Sequence, residues 1–147
     1  MVTRRALLGA GALLFVGCGP PDEPEVNAAE VWNEQLRASQ AALATYEGVE
    51  DAARLRPRAA SRVDRLEALA GAAGATPAVT PGLEAALEAE RAALRTHVAG
   101  VGLLEDRPSR ELLAGLIAET AQAESELLVL LDRRPIETAF PGQPVPR

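Results

Sequence analysis

Proline and glycine divide this chain into four stretches, and within each of them the apolar residues recur at the spacing of one helical face. Trp32, Leu36, Leu43 and Tyr46 form the first stripe, and Ala59, Val63, Leu66 and Ala70 the second. Leu83, Leu87, Leu94, Val98 and Val101 form the third, and Leu113, Leu116, Ile117, Ala123, Leu127 and Leu131 the fourth. Apolar residues three, four and seven apart line one side of an α-helix. Composition points the same way: the sequence is dominated by Ala, Leu, Glu and Arg and holds two Phe, one Trp and one Tyr, which is helix-forming material. Asn27, with Glu30 as a capping-box partner, opens the first helix, which is expected to run to about Arg54. Pro57 fits the first turn of the second helix, and Gly71 to Gly74 stop it. Thr80-Pro81 starts the third, and Glu105-Asp106-Arg107-Pro108 turns into the fourth. Pro135, Pro141, Pro144 and Pro146 rule out regular helix beyond that point.

The first residues read differently. Arg4-Arg5, an apolar run from Ala6 to Val16 and then Gly17-Cys18 have the order of an export signal, and 11 apolar residues are too few to span a bilayer. Phe15-Val16-Gly17-Cys18 resembles the lipobox of bacterial lipoproteins, with Phe where Leu is usual, and Thr3-Arg4-Arg5-Ala6-Leu7-Leu8 resembles a twin-arginine signal. The resemblance implies a lipid on Cys18 and a mature protein on the outer side of the bacterial cell membrane. With Cys18 the only cysteine, no intramolecular disulfide is available, and the domain must rest on its core. The expected organisation is a signal peptide at 1–17, a Pro-rich tether at 18–26, a helical domain at 27–134 and an extended tail at 135–147, with Ile136 and Phe140 as its apolar contacts.

Charge narrows the partners. The full chain carries −6, and loss of Arg4 and Arg5 brings this to −6 − 2 = −8. Every cation is Arg and none cluster, so nucleic acid is not an expected partner. An acidic body has no attraction for an anionic membrane surface either, which leaves the lipid on Cys18 as the attachment. Arg133-Arg134 suit the negative end of the fourth helix dipole.

An internal echo pairs the helices. Gln-Ala-Ala-Leu-Ala-Thr-Tyr at 40–46 aligns with Arg-Ala-Ala-Leu-Arg-Thr-His at 91–97, which is the pattern of two related helical hairpins in an antiparallel all-α four-helix bundle. Gln-Ala-Ala-Leu-Ala-Thr-Tyr-Glu at 40–47, Glu-Arg-Ala-Ala-Leu-Arg at 90–95, the fourth helix and the Pro-rich end with Ala139-Phe140 resemble bacterial ferritin-like four-helix-bundle proteins over most of residues 28–142. That family often holds two iron ions between Glu residues and two Glu-x-x-His motifs. Here the pattern is degenerate. The chain has one histidine, Ser39 stands at the first-helix ligand position, Arg62 stands near the second-helix one, and Glu90 occupies the third.

On the third helix, Glu90 and His97 fall on the apolar stripe, and on the fourth Glu124 does, so these three should point inward. A buried charge needs a partner. Three arrangements answer to this. The three side chains hydrogen-bond one another, Ser39, Tyr46 or water, or pair with Arg62; or they form a reduced iron or manganese site; or the helices pack so as to expose some of them. Glu90 and His97 stand about 10.5 Å apart along a helix axis, which is far for one ion. The expected function is therefore a membrane-anchored helical module without a complete metal centre and with no required cofactor, acting through binding or structural contacts. The alternatives are a metal-handling or oxidoreductase protein built on Glu90, His97 and Glu124, and a subunit whose Ala-rich faces pack on another chain or on a second copy.

Overall fold

Four α-helices, separated by turns that specific residues impose, make up the structure, a computed structural model that describes residues 26–70 and 78–135. They are α1 (Ala28–Thr45), α2 (Arg56–Glu67), α3 (Leu83–Val101) and α4 (Arg107–Leu130), with a 3-10 turn at Glu50–Ala52 between the first two. The described residues contain no strand. The export signal with Arg4, Arg5 and Cys18, the tether, the Gly71 to Gly74 segment and the tail with Ile136 and Phe140 lie outside them.

Local chemistry sets the helix ends. Asn27 caps α1 by accepting from the Ala29 N–H at 3.0 Å, and its side-chain amide donates to Glu30 at 3.3 Å. Asp106 caps α4 by accepting from the Ser109 N–H at 2.8 Å, which also holds its carboxyl below the usual carboxylate range. α1 is shorter than its stripe implies. It stops at Thr45 instead of near Arg54, because Gly48 takes a φ of 68° and turns the chain, so that Ala52 and Leu55 come back against the core. α3 begins at Leu83, two residues after Pro81, and its start is tied to α1 where the Gly82 N–H donates to the Thr45 carbonyl at 3.1 Å. α4 ends at Leu130, so Arg133 and Arg134 lie past its last turn; Arg133 instead reaches Glu84 on α3 at 2.8 Å.

α1 packs on α2 and α3, and α3 packs on α4. The packed helices bury two apolar clusters. One gathers Val31, Trp32, Leu36, Val63, Leu66, Ala70, Leu104, Leu113 and Leu116, at the end where α1 begins and α2 finishes. The other gathers Tyr46, Ala52, Leu55, Ala59, Ala86, Leu87, Leu127 and Leu128, at the opposite end. Between them, in every helix, sits a polar layer: Ser39 on α1, Arg62 on α2, Glu90 and His97 on α3, Thr120 and Glu124 on α4. Not every striped residue faces inward. Val98 is 41% exposed, and Val101, Ile117, Leu83 and Leu131 are half-buried, because helical neighbours cover only part of each face.

Across the α2–α4 gap the contacts are ionic at the rim. Arg58 meets Glu126 at 2.7 Å, with Arg54 on the same carboxylate at 3.4 Å, and Arg65 meets Glu119 at 2.5 Å. These pairs are part-exposed and each is worth little by itself. Gly48→Ala is expected to destabilise the domain by about 1 kcal/mol, since nothing crowds the site and the cost is that of the left-handed backbone alone; Gly48→Asn should cost less. Urea unfolding of the two variants checks this.

Candidate functional site

Three elements converge on one carboxylate oxygen in the middle of the polar layer. Glu90, between Leu87 and Leu94 on the buried face of α3, is fully enclosed. Its Oε1 accepts from the Tyr46 hydroxyl at 2.7 Å, just past the end of α1, and from Arg62 Nη2 on α2 at 2.5 Å. Arg62 is only 2% exposed. Burial pushes the Glu90 carboxyl up, while the Arg62 guanidinium and the Tyr46 hydroxyl pull it back down. Arginine does not give up its proton in a protein, so the ionised carboxylate leaves a neutral pair, whereas a protonated Glu90 would leave a bare cation in the interior. The Tyr46 hydroxyl, buried beside that carboxylate, is pushed well above the usual phenol range and stays a donor.

His97 lies two turns along the same face of α3 and finds a different partner. Its Nδ1 is 2.6 Å from Gln35 Oε1, and the Gln35 amide nitrogen donates to the Thr96 carbonyl at 3.3 Å. With the amide oriented in that way, Nδ1 carries the proton and Nε2 is a bare acceptor. Burial, reinforced by Arg62, pushes the imidazole down to about 4, so it is neutral at physiological pH. Gly100 makes room for this contact: a Cβ there would stand 2.8 Å from Gln35 Nε2 and 3.3 Å from a Leu113 methyl.

Glu124 goes to a third partner, Arg91 on α3, whose Nε donates to it at 2.9 Å and which also reaches Glu88 at 3.2 Å. The structure thus brings Tyr46, Arg62 and Glu90 together and holds His97 and Glu124 apart from them. Among the described residues, no three His, Cys, Asp or Glu side chains form a group able to hold a metal ion. A guanidinium already sits on Glu90 Oε1, where it would compete with a metal cation for that oxygen. Some capacity remains unused: Ser39 Oγ, Glu90 Oε2, His97 Nε2 and Thr120 Oγ1 are buried without a hydrogen-bond partner.

Gln35, Arg91 and Thr120 belong to this layer and were not singled out from the sequence. Gln35 carried a signal, being a polar residue three after Trp32 and beside Leu36 on the first stripe. Arg91 carried none, since it sits at the edge of its helix face. An open concavity of ≈ 660 Å³ lies at the α1–α2 turn, bordered by Leu43, Val49, Arg56 and Pro57, and Tyr46 borders both it and the interior layer. Ser39, Arg62, Glu90, His97 and Thr120 are enclosed, while Arg91 and, less so, Glu124 reach the surface. No protein-family model matches the chain, and no curated protein or solved structure is significantly similar to it.

Removing one member of the ion pair strands the other. Arg62→Met is expected to lower stability by about 3–5 kcal/mol, and adding Glu90→Leu should recover much of this, short of completion because the Tyr46 hydroxyl then lacks its acceptor. Denaturant unfolding of the single and double variants measures the coupling. His97 sets a pH dependence. Its folded value, about 4, lies below the ordinary 6.5, so the unfolded chain binds the proton first and stability is complete above 6.5 and falls as pH drops towards 4. The loss amounts to about 3 kcal/mol. Glu90, with its raised value, works in the opposite sense, so the contribution is read as wild type minus His97→Gln, a difference that should be flat above pH 6.5 and shrink below it.

Proposed function

We propose that this chain is an exported bacterial lipoprotein, held at the membrane through a lipid on Cys18, whose domain is an antiparallel ferritin-like four-helix module acting by binding or structural contact. The observation that carries this reading is the guanidinium of Arg62 on Glu90, since it supplies internally the positive charge that a metal would bring to such a site. The contacts of Gln35 with His97 and of Arg91 with Glu124 support it, because they commit the other two candidate ligands elsewhere. The facing of Gln35 with Thr96 and of Thr45 with Gly82 supports opposite directions for α1 and α3. No described helix is long and apolar enough to cross a membrane; attachment through Cys18 is read from the lipobox resemblance of Phe15-Val16-Gly17-Cys18.

A metal-handling reading keeps one observation in its favour, the unpartnered Glu90 Oε2 and His97 Nε2. One preparation decides both matters. Protein extracted from its own membrane is expected to carry a diacylglyceryl mass on Cys18, absent in Cys18→Ala, and to hold far less than one iron or manganese per chain. Stoichiometric metal that disappears in Glu90→Ala and Glu124→Ala would replace the binding reading with the metal-handling one.

A further inference from the structure

The exposed large apolar side chains are unevenly placed. Among the described residues Val26 is 48% exposed, Leu69 44% and Leu103 43%, and Val98 at 41% stands one turn before the end of α3. Val26 precedes α1, Leu69 follows α2 and Leu103 follows α3. Leu69 and Leu103 adjoin Ala70 and Leu104, which share one apolar cluster with Val31 of the first turn of α1, so Leu69, Leu103 and Val26, just before α1, lie at one end of the molecule. Val129, at 57%, is the one such residue in the other half. Isolated exposed apolar residues are ordinary, but residues gathered from three separate chain segments at one end mark a contact surface.

That end is where the tether leaves. Cys18 stands eight residues before Val26, a Pro-rich span of about 25 Å when extended, so a lipid on Cys18 holds this end within that distance of the bilayer. We infer that the Val26, Leu69 and Leu103 end rests on the membrane surface, with these side chains entering the headgroup region of neutral lipids. The inference rests on the lipoprotein reading above. Charge fits a neutral surface and not an anionic one. Glu30, Glu67, Glu105 and Asp106 ring this end against Arg107 and Arg110, so contact relies on apolar entry and not on attraction to acidic headgroups. The concavity at the α1–α2 turn then faces away from the bilayer, where a soluble partner can reach it.

The test uses the mature lipidated protein in phosphatidylcholine vesicles. Cys18 is blocked by its lipid, so a polarity-sensitive fluorophore can be placed on Leu103→Cys or, as a control, on Val129→Cys. A blue shift on vesicle insertion is expected at 103 and not at 129, and it should be lost when Val26→Glu and Leu69→Glu are added. Equal behaviour at the two positions would overturn the inference. So would a shift at 103 that appears in detergent and rises with protein concentration, since that reports contact between copies. Intact mass of the same sample separates this failure from that of the lipoprotein reading. If Cys18 carries no lipid, the same measurement on Cys18→Ser protein, held by an N-terminal His-tag on nickel-chelating lipid, still reports whether this end enters the bilayer surface.

Discussion

The Arg62–Glu90 ion pair is the constraint around which the interior is arranged. Two full charges taken out of water cost several kcal/mol each unless they meet at close range with their remaining hydrogen bonds satisfied. Here they meet at 2.5 Å, and Tyr46 adds a second donor to the same oxygen, while Glu90 Oε2 stays without a partner. Because Arg62 comes from α2, Glu90 from α3 and Tyr46 from the end of α1, the contact specifies how three helices sit relative to one another. A slide of any helix by one turn would separate charges that the surrounding leucines cannot solvate. The leucine clusters above and below supply the non-directional attraction, and the polar layer between them sets the register.

The same layer bears on chemistry. A buried carboxylate beside a buried imidazole on one helix face is the raw material of a metal or acid–base site. Each group is instead committed: Glu90 to Arg62, His97 to Gln35, Glu124 to Arg91. An imidazole pushed down to about 4 and a phenol pushed well above its usual range both keep their protons where they are at neutral pH. The layer therefore holds helices together through paired polar groups. What faces solvent is a concavity at one end, with Tyr46 as its link to the layer, and an apolar crown at the other.

Most of the fold was legible because helical spacing and proline punctuation are local properties. The four stripes became four helices, and the Asn27 and Asp106 caps stood where short polar residues precede apolar periodicity. The end of α1 was misjudged because the stripe continues in spirit through Val49, Ala52 and Leu55, and nothing in a periodicity reading weighs one glycine against it. Gly48 at positive φ breaks the helix while still returning those residues to the core. Val98 failed for a different reason: a helix face wider than its neighbours' footprint leaves residues at its edge in water.

For the interior site, helical geometry alone placed Glu90, His97 and Glu124 inward, since 100° per residue fixes direction from an axis without knowledge of what lies across it. Partners are another matter. That Arg62 rather than Ser39 meets Glu90, that Gln35 takes His97 through the space left by Gly100, and that Arg91 draws Glu124 to the side depend on which helices adjoin and at what height. The sequence by itself determined an all-helical chain with charged groups turned toward its core. Only the packing of the helices decided that those charges neutralise one another, because pairing energies depend on distances of a few ångströms between segments far apart in the chain.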